Sequence, residues 1–312
     1  MNRVLVLSPD AERYVQLLRA RALPDAHVEG AATADEARGA AARANVVLGK
    51  PALVAGILDQ AEQLEWVQST FAGVDALTAP GLRRDYRLTG LKEIFGPLMS
   101  EYVFGWILAL ERHVFELRAQ QGRREWRPIP YRRLRGLTLG VAGLGSIGRA
   151  IAASGAHFGL RVVGWKRSAE PVPGVARVYA QDELEAFVRQ PDYLVITLPS
   201  TPATRGVFDA GVFDVMAEDA VLINVGRGDV VAQHDLVSSL RKGDLRAAVL
   251  DVFEDEPLPS EHPLWTLSGA YVTPHTAADS FPEDIAGVFC DNYRRFHEGR
   301  ELKYVVDFAR GY

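Results

Sequence analysis

The sequence lacks the features that would place a chain outside the ordinary globular proteins. One cysteine, Cys290, in 312 residues excludes an internal disulfide and a thiolate metal site, and fits a reducing compartment. The 35 basic and 40 acidic side chains leave a formal net charge of -5, which argues against nucleic acid as a partner. The apolar start at 4–7 is too short for a signal peptide. Even the run 103–110 lies between Glu101 and Glu111, so no membrane span is indicated and we expect a cytoplasmic protein.

What the sequence contains is an alternation of short apolar runs and helical stretches. Within the first ninety residues, the runs 4–7, 45–49 and 64–69 alternate with helical segments at 11–20 and 51–60. From residue 137 onward, six near-continuous apolar runs follow, with candidate crossover helices between them. This rhythm predicts parallel sheets covered by helices. The six runs are 137–142, 161–165, 193–198, 221–225, 247–252 and 270–273, and the helices are 147–158, 182–189, 211–216 and 233–242.

Three segments outside this alternation carry their own signals. The alanine-rich segment 31–44 is predicted to be a helix, with Thr33 as its N-cap and Glu36 completing a capping box. The segment 98–119 contains one glycine and no proline, which predicts one long helix. The stretch 118–135 holds seven arginines and one acid. It has the charge to steer an anion, but such a cluster is more typical of a solvated face or a subunit contact.

A glycine-rich turn indicates where a dinucleotide binds. The run 137–142 leads directly into Gly143-Leu-Gly145-Ser-Ile-Gly148, and helical spacing follows. Gly143 permits the tight turn, Gly145 lets the backbone approach a pyrophosphate, and Gly148 allows close packing of helix and strand. The N-terminus of the helix then presents N–H groups and its positive dipole end to the phosphates.

The end of the next run predicts which dinucleotide is preferred. A free ribose 2′-hydroxyl calls for an Asp or Glu about twenty residues after the glycine turn, but the chain has Lys166, Arg167 and Ser168 there. Two cations and a hydroxyl suit a 2′-phosphate instead. We therefore expect NADP(H) to be preferred over NAD(H).

Three polar residues that follow later apolar runs are candidates for the chemistry. Arg227 stands between two glycines after 221–225, Glu256 lies in the acidic loop after 247–252, and His275 follows 270–273 and a proline. Because ligands bind beyond the carboxyl ends of the strands in open α/β sheets, these side chains are predicted to converge near the nicotinamide. No spacing resembles a metal-ligand set, so no metal is predicted.

This succession of motifs resembles the D-isomer-specific 2-hydroxyacid dehydrogenase family, and within it the NADPH-dependent glyoxylate and hydroxypyruvate reductases. The resemblance implies an α/β fold of two Rossmann-like or flavodoxin-like, doubly wound parallel-sheet domains with a cleft between them. Residues 1–94 plus 283–312 would form a discontinuous substrate-binding domain, and 95–282 the dinucleotide-binding domain. It also implies a homodimer, with the segment 100–135 as the contact.

The resemblance assigns roles to individual residues. Arg227, Glu256 and His275 would be catalytic, and Arg227 would also bind substrate together with the loop of Phe71, Ala72 and Gly73. The cofactor contacts would come from Gly143, Gly145, Ser146, Ile147, Gly148, Trp165, Lys166, Arg167, Ser168, Leu198, Pro199, Thr204, Val225, Gly226, Asp251 and His275.

The expected reaction is reduction of a small 2-keto acid to a D-2-hydroxy acid. Arg227 anchors the substrate carboxylate and polarises the keto oxygen. His275 donates the proton, and Glu256 orients the ring and stabilises its charged form. Larger or aromatic 2-keto acids stay open as substrates, since the size of the pocket depends on side chains such as Phe71. A non-catalytic NADP(H)-binding scaffold is the other alternative, but it would have little reason to retain all three catalytic residues.

Overall fold

The chain folds into two compact α/β units. The computed structural model describes residues 1–310. Unit 1 consists of Met1–Ile94 and the segment that begins at Ser280, and unit 2 consists of Phe95–Asp279. The second boundary therefore lies between 279 and 280, three residues before the predicted one at 282, because the final helix already begins at Pro282.

Twelve strands and eleven α-helices are present within residues 1–310. The strands are β1 (Asn2–Leu7), β2 (Ala26–Ala31), β3 (Val46–Gly49), β4 (Trp66–Ser69), β5 (Arg87–Thr89), β6 (Thr138–Ala142), β7 (Arg161–Trp165), β8 (Arg177–Tyr179), β9 (Tyr193–Ile196), β10 (Val221–Asn224), β11 (Ala247–Leu250) and β12 (Ala270–Val272). The helices are α1 (Ala11–Ala20), α2 (Ala34–Ala41), α3 (Pro51–Ala55), α4 (Asp75–Thr78), α5 (Phe95–Glu111), α6 (Val114–Arg123), α7 (Ser146–His157), α8 (Leu184–Val188), α9 (Ala210–Phe213), α10 (Gln233–Lys242) and α11 (Pro282–His297). In the part of the chain that the structure describes, no helix has the length and apolar character needed to cross a membrane.

Unit 1 is built on a five-stranded parallel sheet in the order β2-β1-β3-β4-β5. The apolar runs of β1 and β3 are almost completely buried, as expected for strands covered on both faces. Thr33 caps α2 as predicted, since its Oγ1 accepts from the Glu36 N–H at 3.3 Å. The Glu36 carboxylate accepts from Ala32 N–H at 2.8 Å, one residue before the amide of an ideal capping box.

Unit 2 is built on a seven-stranded parallel sheet in the order β12-β11-β10-β9-β6-β7-β8. The chain runs outward from β6 through β7 to β8, and then returns to the other side of β6 at β9. The strand order thus reverses between β6 and β9, which is the point where open α/β sheets bind their ligands. The prediction of two doubly wound parallel-sheet domains is confirmed.

The sequence underestimates the number of strands. The strands β2, β5 and β8 were not among the predicted runs. Their sequences are short or mix polar with apolar residues, and each lies at an edge of its sheet. An edge strand has only one paired neighbour, so it does not need the continuous apolar run that marks a central strand.

The prediction of one long helix over 98–119 is wrong. The helix α5 ends at Glu111, and α6 begins at Val114 after His113, whose φ of 51° is in the left-handed region. This break turns the chain so that the Phe115 ring packs on Trp106 at 5.8 Å and on Tyr271 at 5.2 Å between ring centroids. Aromatic packing of this kind outweighs the cost of one left-handed residue.

A buried ion-pair network lies at the amino-terminal ends of the strands of unit 2. Glu111 is 2% exposed, and its Oε1 accepts from Arg132 and Arg246 at 2.8 Å and from the Tyr193 hydroxyl at 2.5 Å. Burial raises the pKa of Glu111. The hydrogen bonds from Arg132, Tyr193 and Arg246 and the charge of Arg246 lower it by more than burial raises it, so that the pKa is about 2. Arg132 belongs to the predicted arginine cluster, so that cluster is partly an internal structural element.

Candidate active site

The predicted site residues of unit 2 follow strands that end at the same edge of its sheet and in aligned register. The register pairs Ala142 with both Trp165 and Ile196, and Leu250 with both Asn224 and Val272. Because all the strands are parallel, the segments that follow them emerge side by side. The glycine turn therefore lies at the same edge as the segments that carry Arg227, Glu256 and His275.

The glycine turn between β6 and α7 has the geometry expected of a phosphate-binding loop. Gly143 has a φ of +99°, which favours glycine. A Cβ on Gly148 would lie 1.9 Å from the Gly143 carbonyl oxygen, whereas a Cβ on Gly145 would meet no atom within 4 Å. Gly145 is the N-cap of α7 and makes no side-chain cap, so the first amides of the helix, at Ser146 and Ile147, are directed to the open side of the turn.

At the end of β7, the cations Lys166 and Arg167 lie beside the glycine turn, whereas the indole of Trp165 is buried. Trp165 is 4% exposed and its ring packs on Phe208, so only its carbonyl, which accepts from Gly143 N–H at 2.9 Å, reaches the turn. Lys166 Nζ forms an ion pair with Glu170 Oε2 at 3.1 Å. Hydrogen bonding and charge from Lys166, with a further bond from Ser168, lower the pKa of Glu170. Ser168 and Arg167 are exposed.

The segment after β9 forms a compact turn against the next loop. Thr204 Oγ1 donates to the Pro199 carbonyl at 2.6 Å and accepts from Thr201 N–H at 2.9 Å. A Cβ on Gly226 would lie 2.7 Å from the Leu198 carbonyl oxygen. The backbone of Leu198 and that of the Val225–Gly226 segment are therefore in close contact, and both lie next to the glycine turn in the order of strands.

The loop that carries Arg227 is held by its neighbours on both sides. Neither Gly226 nor Gly228 has a positive φ, so a left-handed backbone conformation is not the reason for these glycines. A Cβ on Gly228 would lie 1.9 Å from the Phe253 carbonyl carbon, so close backbone approach is what requires glycine here. Buried Asn224 donates from Nδ2 to the Arg227 carbonyl at 3.0 Å and accepts from Gly226 N–H at 3.1 Å. These contacts fix the backbone from which the half-buried guanidinium projects.

His275 and Glu256 form a pair at the ends of the two adjacent strands β12 and β11. His275 Nδ1 lies 2.8 Å from Glu256 Oε2, and Glu256 Oε1 accepts from Phe253 N–H at 3.0 Å. A carboxylate only accepts hydrogen bonds, so Nδ1 carries a proton and Nε2 is the nitrogen left to exchange one with a ligand. The His275 side chain is 54% exposed, and its φ of 55° is unusual for a residue other than glycine.

Asp251, predicted as a cofactor contact, holds the loop of His275 by its side chain. It is 1% exposed. Its Oδ1 accepts from the Thr273 hydroxyl at 2.6 Å and from Thr276 N–H at 2.8 Å, and its Oδ2 accepts from Ala277 N–H at 2.9 Å. Its backbone carbonyl accepts from His275 N–H at 2.9 Å. Asp251 thus fixes the backbone on both sides of the imidazole.

The predicted substrate-binding residues Phe71, Ala72 and Gly73 follow β4 in unit 1. Ser69 Oγ accepts from Phe71 N–H at 2.9 Å and donates to the Phe71 carbonyl at 2.7 Å, which closes the turn locally. The Phe71 ring is 41% exposed, with Lys50 Nζ 5.7 Å from its centroid. Phe71 and Ala72 are exposed at the carboxyl edge of their sheet.

Sequence reasoning missed the residues that support the predicted ones. Glu170 pairs with Lys166, and Asn224 and Thr273 hold the backbones around Arg227 and His275. Asn224 is the one polar residue in the apolar run 221–225, and its position two residues before Gly226 is the signal that was available. Within residues 1–310, no group of three or more His, Cys, Asp or Glu side chains is arranged to hold a metal ion.

Comparison with known proteins identifies the domain in unit 2. The family model described as "D-isomer specific 2-hydroxyacid dehydrogenase, NAD binding domain" matches residues 104–277, so unit 2 contains an NAD-binding domain. The glyoxylate/hydroxypyruvate reductase A of Yersinia enterocolitica is 33% identical over 261 residues, which are 80% of this chain and 82% of that protein.

Solved structures are similar over the whole chain. A D-isomer specific 2-hydroxyacid dehydrogenase family protein from Aeromonas salmonicida is 43% identical, with a TM-score of 0.95 over 98% of this chain and 99% of that one. The NADPH-dependent glyoxylate/hydroxypyruvate reductase of Sinorhizobium meliloti, solved with NADP and sulfate, is 33% identical, with a TM-score of 0.88 over 100% of each chain. The chain therefore belongs to the D-isomer specific 2-hydroxyacid dehydrogenases.

Proposed function

We propose that the protein reduces small 2-keto acids, such as glyoxylate and hydroxypyruvate, to D-2-hydroxy acids with NADPH. The observation that carries the proposal is the His275–Glu256 pair, at 2.8 Å, on the same sheet edge as Arg227 and the glycine turn. The curated relative from Yersinia enterocolitica bears the corresponding name. Unit 1 is proposed as the substrate-binding domain and unit 2 as the dinucleotide-binding domain.

Arg227 is proposed to bind the substrate carboxylate and to polarise the keto oxygen. A guanidinium is permanently charged and presents a planar fork of donors that matches a carboxylate. Its backbone is held by Asn224 and by the close approach of Gly228 to Phe253, so the fork starts from a fixed position. In unit 1, the N–H groups of Ala72 and Gly73 are proposed as substrate-binding donors, because the turn at Phe71 leaves that backbone exposed.

His275 is proposed to donate a proton to the carbonyl oxygen from Nε2. Glu256 accepts from Nδ1, while Phe253 N–H holds the other carboxylate oxygen of Glu256. The ring therefore keeps one tautomer and one orientation, which is what a general acid requires. In the reverse direction the neutral Nε2 would accept the hydroxyl proton.

We propose that NADP(H) is held by the glycine turn, Lys166 and Arg167. Further cofactor contacts, between the glycine turn and Arg227, would come from Leu198, Pro199, Thr204 and the Val225–Gly226 backbone. The open space beside Gly145 and the uncapped start of α7 fit a pyrophosphate. When bound, NADPH supplies the hydride. The preference for NADPH over NADH is proposed to come from Lys166. Its ammonium group would form an ion pair with the 2′-phosphate, either together with Glu170 or in place of it.

Reversing the charge at the end of β7 is expected to shift cofactor preference. We expect Lys166→Asp combined with Arg167→Ala to lower kcat/KM for NADPH by about 10- to 100-fold, the value of one or two charge-assisted hydrogen bonds, with a smaller change for NADH. Initial rates with both cofactors measure this. Glu170→Gln is the control, since it removes a charge at the same place and should leave NADPH preferred. A wild-type protein that prefers NADH would contradict the phosphate interpretation.

A panel of 2-keto acids tests the reaction itself. Loss of absorbance at 340 nm is expected with NADPH and glyoxylate or hydroxypyruvate, and weaker or no loss with aromatic 2-keto acids because Phe71 adds bulk near the proposed carboxylate loop. Consumption of NADPH with none of the acids would refute the proposed function. Faster turnover of the aromatic acids would instead change the substrate class and leave the mechanism in place.

We further propose a homodimer, formed through the region 100–135. Trp126 is 99% exposed, and Val114, Phe115 and Leu117 on α6 are exposed apolar side chains. Large exposed apolar side chains concentrated in one segment of the chain favour an interface there. A second copy of the chain is its proposed occupant, and light scattering that gives the 34.2 kDa mass of one chain at micromolar concentration would contradict this.

A further inference from the structure

A chain of hydrogen bonds runs from helix α5 to the loop of His275. The Tyr102 hydroxyl on α5 lies 2.6 Å from Thr273 Oγ1, which follows β12. Thr273 Oγ1 lies 2.6 Å from Asp251 Oδ1, which follows β11. Three elements distant in sequence thus meet at one buried carboxylate.

The direction of the protons in this chain follows from the acceptor at its end. The Asp251 carboxylate can only accept, so the single hydroxyl proton of Thr273 is directed to it. Tyr102 must therefore donate to Thr273. Burial, the largest effect, raises the pKa of Tyr102 to about 12, so the phenol keeps its proton. Hydrogen bonds in series polarise one another, and the Tyr102 bond thus strengthens the one to Asp251.

The Asp251 carboxylate, at the end of this chain of hydrogen bonds, holds His275 in a strained conformation. Asp251 forms no ion pair within residues 1–310 and relies on neutral donors, namely the Thr273 hydroxyl and the amides of Thr276 and Ala277. A buried carboxylate without a cation depends on every such donor. The same amides directly follow His275, whose φ of 55° costs energy that the surroundings must supply.

We propose that Tyr102 is a positioning residue for His275, an inference that rests on the proposed function. By donating to Thr273, Tyr102 keeps the Thr273 hydroxyl donating to Asp251, and Asp251 keeps the backbone around the imidazole in place. Tyr102 contacts neither substrate nor cofactor in this scheme. It acts through the loop, so its loss should affect turnover and not cofactor affinity.

Tyr102→Phe is expected to lower kcat by about fivefold to tenfold, the value of one hydrogen bond, while the KM for NADPH stays within twofold. Tyr271→Phe is the matched control. It removes a hydroxyl from the same aromatic cluster, in which Trp106 contacts both rings, and the Tyr271 hydroxyl has no hydrogen bond within residues 1–310. Thr273→Val should lower kcat at least as much as Tyr102→Phe, because it also removes the bond to Asp251, and adding Tyr102→Phe to Thr273→Val should cost little more.

Hydrogen exchange of the apo protein supplies a readout that needs no turnover. The amides of Thr276 and Ala277 should exchange about two- to tenfold faster in Tyr102→Phe than in wild type. In Tyr271→Phe their exchange rates should equal those of wild type. If Tyr102→Phe matches Tyr271→Phe in either kcat or exchange, the inference is overturned. Wild-type protein that reduces no 2-keto acid would refute the proposed function separately, whatever the exchange result.

Discussion

Replacing His275 by glutamine is expected to lower kcat by about 10²- to 10⁴-fold, the usual contribution of a general acid. The glutamine amide is able to donate to Glu256 Oε2, which lies 2.8 Å from His275 Nδ1, so the loop keeps its anchor. The amide has no titratable proton to give to the keto oxygen. The variant should therefore keep its fold and its cofactor site while it loses proton transfer.

Steady-state rates and NADPH binding together test this prediction. Binding followed by tryptophan fluorescence or calorimetry should agree with that of wild type within about threefold, because the phosphate-binding turn is unchanged. His234→Gln is the control, since that side chain lies on α10 and is 96% exposed. Turnover of His275→Gln within tenfold of wild type would remove His275 from the mechanism.

The parts of the site that could be predicted have local signals. Gly143, Gly145 and Gly148 lie within six residues of each other, directly after a buried strand. The positive φ of Gly143 and the close contact of Gly148 with the Gly143 carbonyl require glycine, whereas the space beside Gly145 is open. Arg227 and His275 each follow a strongly apolar run, so the parallel topology alone places them at one edge. Since the registers of β10, β11 and β12 are aligned, no further information was needed to bring their ends together.

The parts that could not be predicted depend on contacts between distant residues. Tyr102 and Thr273 are 171 positions apart, and a tyrosine in an apolar helix is more often simply a core residue. The turn at His113 is similar, because the packing of Phe115 on Tyr271 decides it and helix propensity does not. Gly228 is required by the backbone of Phe253, a contact that a single sequence does not display.

Glu111→Gln is expected to lower the free energy of unfolding by about 3–5 kcal/mol at pH 7, the cost of breaking a buried ion pair. The amide is as large as the carboxylate, but it cannot balance the charges of Arg132 and Arg246, both of which lie 2.8 Å from Glu111 Oε1. The network lies at the amino-terminal ends of the strands, at the edge of the sheet opposite to the proposed site. Urea unfolding at fixed protein concentration measures the loss, and Glu185→Gln, which breaks an exposed pair with Arg189, should change stability by less than about 1 kcal/mol.

The pH dependence of this loss provides the sharper test. The pKa of Glu111 falls from an ordinary 4.5 to about 2 in the folded protein, which corresponds to about 3 kcal/mol. A lowered pKa in the folded state means that the stabilisation is complete above about pH 4.5 and is lost as pH falls toward 2. The difference between wild type and Glu111→Gln should therefore be constant from pH 7 to about 5 and shrink below that. A difference that stays constant down to pH 3 would show that the carboxylate charge does not stabilise the network.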